Sequence, residues 1–306
     1  MASVRKKEIL WFLGVTFGFS YALWLPSLLM ALDVADFGFA PVHGDWLYGP
    51  ERFELGNLLR FLGGLGPVVA AITVTWAFRG QGAVGELLRR VVQLRQPFSQ
   101  YLIAIFLVPV CLVIVPMIVW MIQHGTWTIT WRSVAETIPY WLSVYVVYVV
   151  FIGCEQIGWC GFLLSRLQAK SSALLAALIV AVVWNLWHFP YYITASLLGT
   201  PELGIPPMHM ERALISALII SLIPLVLFVP LMTWVYNSSR GSIAMVMLFH
   251  VSLNAARRLE GLAGESDFDA RRALSIGLLI LLGVLIGVIW RYGRRNLSTR
   301  ERFVID

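Results

Sequence analysis

The chain has 306 residues, of which 59% are hydrophobic and only 13% are charged. A soluble domain has about a quarter charged residues, so this composition excludes an ordinary soluble protein and predicts a polytopic membrane protein. The formal net charge of +6 does not indicate nucleic-acid binding, because no basic stripe with interleaved aromatic residues is present. In a membrane protein such an excess of Lys and Arg reports topology.

Eight apolar segments are long enough, at about 20 residues, to cross the ~30 Å hydrocarbon core of a bilayer. They predict an all-α bundle that forms a single integral membrane domain over residues 1–306. In chain order the predicted spans are 9–32, 56–78, 100–123, 138–165, 171–194, 212–235, 241–259 and 273–290. The first is too long for the core of a signal peptide, so we expect it to remain as a membrane anchor.

The charges between the spans predict the orientation of the chain. With the N-terminus inside, most basic residues fall in cytoplasmic segments and most acidic residues outside, as the positive-inside rule requires. We therefore expect both termini in the cytoplasm, at a bacterial plasma membrane, with residues 291–306 as a basic cytoplasmic tail. Residues 79–98 carry apolar side chains at helical spacing between arginines, which indicates an interfacial amphipathic helix or, alternatively, a polar loop.

Three of the predicted spans carry polar residues that are costly at membrane depth and usually face a cavity or a functional pathway. They are Glu155 and Gln156 in the fourth span, Asn185 and His188 in the fifth, and His250 and Asn254 in the seventh. His250 and Asn254 are four residues apart and share one helix face, as do Trp184 and His188. We expect these groups to converge on one hydrated pocket.

A carboxylate and two imidazoles in one pocket allow two kinds of hydrolysis. Glu155 can deprotonate a water as a general base. Alternatively, Glu155, His188 and His250 can bind a divalent metal such as zinc, which makes a bound water more acidic. The sequence contains no HExxH motif and leaves both open. Taken singly, each histidine also fits a packing role, Asn254 an interhelical hydrogen bond, and Glu155 the proton site of a transporter.

At these residues the sequence resembles the CPBP family, the prenyl-CaaX endopeptidases and bacteriocin-processing membrane proteases, also called the Abi family. The family has three motifs on separate helices: EExxxR, then FxxxH or WxxxH, then HxxxN or HxxxD. Here they are occupied by EQIGWC at 155–160, WNLWH at 184–188 and HVSLN at 250–254. The resemblance implies that Glu155 activates water together with His188. It also implies that His250 and Asn254 stabilise an oxyanion or bind a metal, and that the substrate is a membrane-embedded peptide or protein.

The first motif departs from the family pattern at two positions. Gln156 and Cys160 stand where the family has Glu and Arg, so both charges of a buried pair are missing together. Losing only one of the two charges would leave the other buried without a partner, at a cost of about 3–5 kcal/mol. Two functions follow: an intramembrane endopeptidase in which Gln156, Cys160 and Trp184 support the catalytic residues, or a catalytically degenerate scaffold or immunity-type protein that binds a partner. A nucleophilic Cys160 is disfavoured, because a thiol in apolar surroundings is inert.

Overall fold

The computed structural model describes residues 2–39, 55–199, 206–263 and 270–305, and within these ranges every regular element is helical. The helices are α1 (Ala2–Ala31), α2 (Leu55–Gly64), α3 (Gly66–Arg89), α4 (Phe98–Pro109), α5 (Val115–His124), α6 (Trp131–Phe151), α7 (Ser165–Gln168), α8 (Ala173–Leu198), α9 (Met210–Ile215), α10 (Leu222–Ser238), α11 (Ile243–Ala256) and α12 (Ala270–Asn296). The all-α prediction is confirmed. The loop predicted between the first two spans lies largely outside the described residues.

The described residues hold six helices long and apolar enough to cross a membrane, or seven if α2 and α3, bent by 42°, form one span. The difference from eight predicted spans lies at 241–259. There α11 has 14 residues, about 21 Å at 1.5 Å per residue, and continues as a 3₁₀ helix over Arg257–Ala263. Most residues of α11 are buried in protein, so the helix needs no long lipid-facing surface.

The chain divides into two compact units. The first contains Met1–Val84 and Leu178–Val226, and the second contains Gly85–Ala177 and Leu227–Asp306. The predicted helices that carry the candidate site are therefore shared between units, with His188 in the first and Glu155 and His250 in the second. The expectation of one integral domain over the whole chain stays a prediction.

In the first unit, hydrogen bonds and close packing hold α1, α2 and α8 together. Ser20 Oγ donates to the carbonyl of Gly63 over 2.7 Å, and Trp187 Nε1 donates to Ser20 Oγ over 2.7 Å. Trp24 Nε1 donates to the carbonyl of Arg60 over 2.9 Å. A Cβ atom at Gly63 would overlap the indole ring of Trp24, so only glycine permits this approach. These contacts fix the part of α8 that precedes His188.

In the second unit, α11 is the central element and packs against α4, α6 and the turn Gly153–Glu155. It begins at Ser242, whose Oγ accepts a hydrogen bond from the backbone N–H of Met245. Tyr145 on α6 donates from its hydroxyl to the carbonyl of Leu248 over 2.6 Å. A Cβ atom at Gly153 would lie 3.2 Å from Met247 Cβ, which measures how closely the turn approaches α11.

Four segments predicted to lie on the same side of the membrane meet at one face of the second unit. Hydrogen bonds join Gln93 to Ser242, Gln168 to Asn237, Asn237 to Asn296, and Arg302 to Gln168. α11 starts at this face, and its 3₁₀ extension reaches α6, where a Cβ atom at Gly261 would lie 2.8 Å from Thr137 Oγ1. Helix and extension together therefore traverse the unit, although α11 alone is too short.

Candidate functional site

Glu155 and Gln156 lie where the fourth predicted span departs from α-helical geometry. After α6 the chain tightens into a 3₁₀ turn over Gly153–Glu155 and then widens into π-helical turns over Ile157–Leu164. Such departures are frequent at functional sites. Both side chains are buried, and Gln156 is fully so. This irregular stretch packs against α11 and brings Glu155 and Gln156 next to the helix that carries His250.

The amide of Gln156 determines which nitrogen of His250 carries the proton. Gln156 Nε2 lies 3.0 Å from His250 Nδ1, and both residues are buried. An amide nitrogen can only donate, so Nδ1 is the acceptor and the ring proton is on Nε2. His250 is therefore the neutral tautomer with its ring proton on Nε2. The Glu of the family motif would only accept and would require a proton on Nδ1.

Asn254 lies one helical turn after His250 and is exposed. Its Nδ2 donates to the backbone carbonyl of His250 over 3.2 Å, so the amide nitrogen is bonded to its own helix. In the second unit the structure thus brings Gln156 to His250 and packs the turn that contains Glu155 against the same helix. The joint role predicted for Asn254 and His250 at an oxyanion stays a prediction.

His188, in the first unit, is surrounded by aromatic rings. Its ring centroid lies 4.8 Å from that of Tyr192, stacked, and 4.5 Å from that of Trp187, edge-on. Trp184 and Trp24 stack at 6.0 and 6.4 Å. His188 Nδ1 lies 3.2 Å from the carbonyl oxygen of Trp184. A carbonyl can only accept, so Nδ1 carries the proton and Nε2 keeps a lone pair.

A guanidinium and a phenol complete this aromatic cluster, and sequence reasoning missed both. Arg60 Nη2 donates to the hydroxyl of Tyr191 over 2.6 Å, and the guanidinium lies 4.3 Å from the centre of that ring. Tyr191 in turn lies 6.4 Å from His188, centroid to centroid. The aromatic runs YALWLP and WHFPYY were the available signal, because aromatic residues this dense on two spans indicate a packed cluster.

Arg90 is a second residue that sequence reasoning missed. Its guanidinium is buried, donating from Nη2 to the carbonyl of Gly161 over 2.8 Å and from Nη1 to the hydroxyl of Tyr236 over 2.7 Å. Gly161 follows Cys160, the position where the family motif has its Arg. A cation thus sits beside this position from another part of the chain. Cys160 itself is fully buried.

Arg90 belongs to the segment 79–98 that the sequence predicts as an amphipathic helix. The segment is helical as far as Arg89, with a break at Gly80 where φ is 81°, and ends in a 3₁₀ turn over Arg90–Val92. Its position at the membrane surface stays a prediction. One buried arginine among exposed ones has no distinct signature in a single sequence.

The predicted ligands Glu155, His188 and His250 do not fit a three-ligand metal site with the hydrogen bonds that the structure shows. Within each unit, the described residues contain no group of three His, Cys, Asp or Glu side chains that could hold a metal ion. A histidine binds metal through a ring lone pair. His250 has none to offer, because Nδ1 accepts from Gln156 and Nε2 is protonated.

The part of the chain that contains the candidate site is similar to known membrane proteases. Residues 135–256, which contain all three predicted motifs, match the family described as Type II CAAX prenyl endopeptidase Rce1-like. This match supports the resemblance to the CPBP family. Over 132 residues it is 23% identical to CAAX prenyl protease 2 of Methanococcus maripaludis, in an alignment that covers 43% of this chain and 44% of that protein. The chain therefore spans less than half the length of this curated relative. Its apolar helices, together with this family match, support an integral membrane protein.

Proposed function

We propose that this chain is an intramembrane endopeptidase that hydrolyses a peptide bond with a water activated by Glu155 and His188. The reaction takes place in a cavity among the fourth, fifth and seventh predicted spans. The observation that carries the proposal is the opposite tautomers of the two histidines. His188 has a lone pair on Nε2 and can accept a hydrogen bond from water. His250 has a proton on Nε2 and can donate to a developing oxyanion.

The proposed reaction needs only these residues and one water. Glu155 takes a proton from the water while the water oxygen forms a bond to the carbonyl carbon of the peptide. The carbonyl electron pair moves onto oxygen, where His250 Nε2–H stabilises the negative charge. Glu155 then returns the proton to the amide nitrogen, and the C–N bond breaks. His188 Nε2 accepts a hydrogen bond from the second O–H of the water and orients the water, so the mechanism requires His188 to face the water at Glu155.

We favour the water mechanism over a zinc mechanism. Zinc held by Glu155, His188 and His250 would require the amide of Gln156 to leave His250 Nδ1, or His250 to lose its Nε2 proton. The water mechanism therefore predicts that dialysis against a strong chelator leaves activity within about twofold of the untreated protein. Loss of activity on chelation, restored by zinc but not by magnesium, would favour the metal mechanism.

The proposed substrate is a peptide segment within or at the membrane, reached through the surrounding bilayer. The curated relative is named for the cleavage of CAAX prenyl proteins, and a prenylated peptide is therefore one substrate to test for this chain. We place both termini in the cytoplasm, because with this orientation most basic residues fall in cytoplasmic segments and most acidic residues outside. A bacterial origin stays a prediction.

Cleavage by the purified chain tests the proposal. The full chain in lipid vesicles is incubated with transmembrane peptides, with and without a prenyl group, and products are read by mass spectrometry. Glu155→Gln is expected to abolish cleavage. Glu136→Gln is the matched control, because Glu136 is an exposed acid paired with Arg132, and is expected to be fully active.

The alternative, a degenerate scaffold, is favoured by two observations: Gln156 replaces an acid of the family motif, and Asn254 is bonded to its own helix. It predicts no cleavage by wild type on any peptide. It also predicts binding of a membrane peptide that Glu155→Gln leaves unchanged. Cleavage by wild type that Glu155→Gln removes would exclude it.

A further inference from the structure

The C-terminal tail folds back onto the second unit and forms one wall of a half-open cavity at the end of α12. Helical geometry breaks at Gly293, where φ is 72°, and Phe303 then packs edge-on against Tyr236. The backbone N–H of Phe303 donates to Asn237 Oδ1 over 3.1 Å, and its carbonyl accepts from Gln168 Nε2 over 3.1 Å. The cavity has a volume of about 370 Å³ and is lined by Ala169, Arg295, Asn296, Glu301, Arg302 and Val304.

The charged side chains of this cavity suit a singly charged anion that also carries hydrogen-bond donors. Arg302 Nε donates to the carbonyl of Gln168 over 2.6 Å, which fixes the guanidinium at the wall with its Nη groups as donors. Arg295 adds a second guanidinium and Glu301 a carboxylate, so the lining has a net charge of +1. Arginine binds phosphate oxygens with particular strength. A carboxylate beside them suits a hydroxyl of the same ligand.

The cavity lies at the level expected for lipid headgroups. Residues Ala273–Asn296 are a candidate membrane span, and the cavity begins at its last two residues. Trp290 is exposed one to two turns earlier and is followed by Tyr292. Tryptophan and tyrosine are enriched where a span enters the headgroup region, and arginines clustered just beyond a span are typical of anionic-lipid recognition. Five arginines fall between residues 291 and 302.

We propose that this cavity binds the phosphodiester headgroup of an anionic glycerophospholipid. Arg295 and Arg302 bind the phosphate oxygens, and Glu301 accepts a hydrogen bond from a headgroup hydroxyl, as phosphatidylglycerol provides. Because the tail forms one wall of the cavity, bound lipid joins the tail to the end of α12. The site is separate from the residues of the proposed peptidase.

Native mass spectrometry of the full chain in detergent, titrated with phosphatidylglycerol or phosphatidylcholine, tests this proposal. We expect a tightly retained phosphatidylglycerol in wild type and about tenfold or more weaker retention in the double variant Arg295→Gln/Arg302→Gln. Arg291→Gln/Arg294→Gln removes two arginines at the same end of α12 that do not line the cavity, and is expected to change retention by less than about twofold.

A second variant separates loss of the site from loss of the folded tail. Ala169→Phe fills the cavity without changing a charge and is expected to abolish retention of phosphatidylglycerol, with an unchanged unfolding temperature. The proposal is overturned if phosphatidylcholine is retained equally, or if both double variants weaken retention equally. It is also overturned if Ala169→Phe retains the lipid. Displacement of the lipid by water-soluble glycerol phosphate or inorganic phosphate, each at millimolar concentration, would assign the site to a free phosphate instead of a lipid.

Discussion

The two histidines of the candidate site are held in different ways. In the first unit His188 lies among aromatic rings, and its Nδ1 proton is bonded to the backbone of its own helix. In the second unit the tautomer of His250 depends on one side chain, Gln156, from a stretch without regular α-helical geometry. A backbone carbonyl is present whatever the side chain, whereas an amide is lost by one substitution. The chemistry of His250 can therefore be changed by mutation much more easily than that of His188.

The largest expected effect comes from the acid that the second unit places beside α11. Removing the general base with Glu155→Gln should lower the cleavage rate by about 10²–10⁴-fold, because water then has no carboxylate to take its proton. The measurement is single-turnover cleavage of a membrane peptide, with Glu136→Gln alongside. Equal residual rates in the two variants would mean that Glu155 is not the base.

The next effect compares the partners of the two histidines directly. Gln156→Leu removes the donor to His250 Nδ1, so both tautomers become populated and kcat should fall by about tenfold, with KM unchanged. Trp184→Phe keeps the backbone carbonyl bonded to His188 and should change kcat by less than about threefold. If Trp184→Phe has the larger effect on kcat, the contrast between the two histidines is wrong.

Substitution of Arg90 tests how much its buried hydrogen bonds stabilise the second unit. Arg90→Gln removes two hydrogen bonds from a buried guanidinium and should lower the free energy of unfolding by about 3 kcal/mol. The neighbouring Arg89→Gln changes a largely exposed arginine and should cost less than about 0.5 kcal/mol. Thermal unfolding in detergent compares the two. A loss shared by both variants would show that the buried bonds of Arg90 are unimportant.

The smallest expected effect comes from the close packing of Gly63 against Trp24 in the first unit. Gly63→Ala places a methyl group against the indole of Trp24, and overpacking of this kind costs about 1–3 kcal/mol. Gly64→Ala is the matched control, because a Cβ atom there meets nothing within 4 Å. We expect a lower unfolding temperature for Gly63→Ala only. Equal unfolding temperatures in these two variants would mean that the approach of α1 to α2 is not tight.

Composition and the lengths of the apolar segments were sufficient to predict the all-α membrane fold, because both report which residue types occur and in what runs. The family was indicated by the resemblance of three short motifs to known ones. The seventh span was predicted less well. Hydropathy averaged over 241–259 cannot distinguish a lipid-facing span from a short helix that other helices bury, and α11 is the latter.

The contacts inside the site could not be predicted from the sequence. Gln156 was expected only to support the catalytic residues, and a 3₁₀ turn followed by π-helical turns places its amide on His250. The cation beside Cys160 comes from Arg90, about 70 residues earlier in the chain. Both contacts depend on local departures from helical geometry and on long-range packing, which motif spacing does not report.

The most direct test of the account is the ¹⁵N NMR spectrum of the full chain labelled at its histidine ring nitrogens. With five histidines in the chain, single His→Gln variants assign the signals of His188 and His250. The account predicts a proton on Nδ1 in His188 and on Nε2 in His250, and predicts that Gln156→Leu changes only the His250 pattern. The same tautomer in both histidines, or a His250 pattern unaffected by Gln156→Leu, would contradict it.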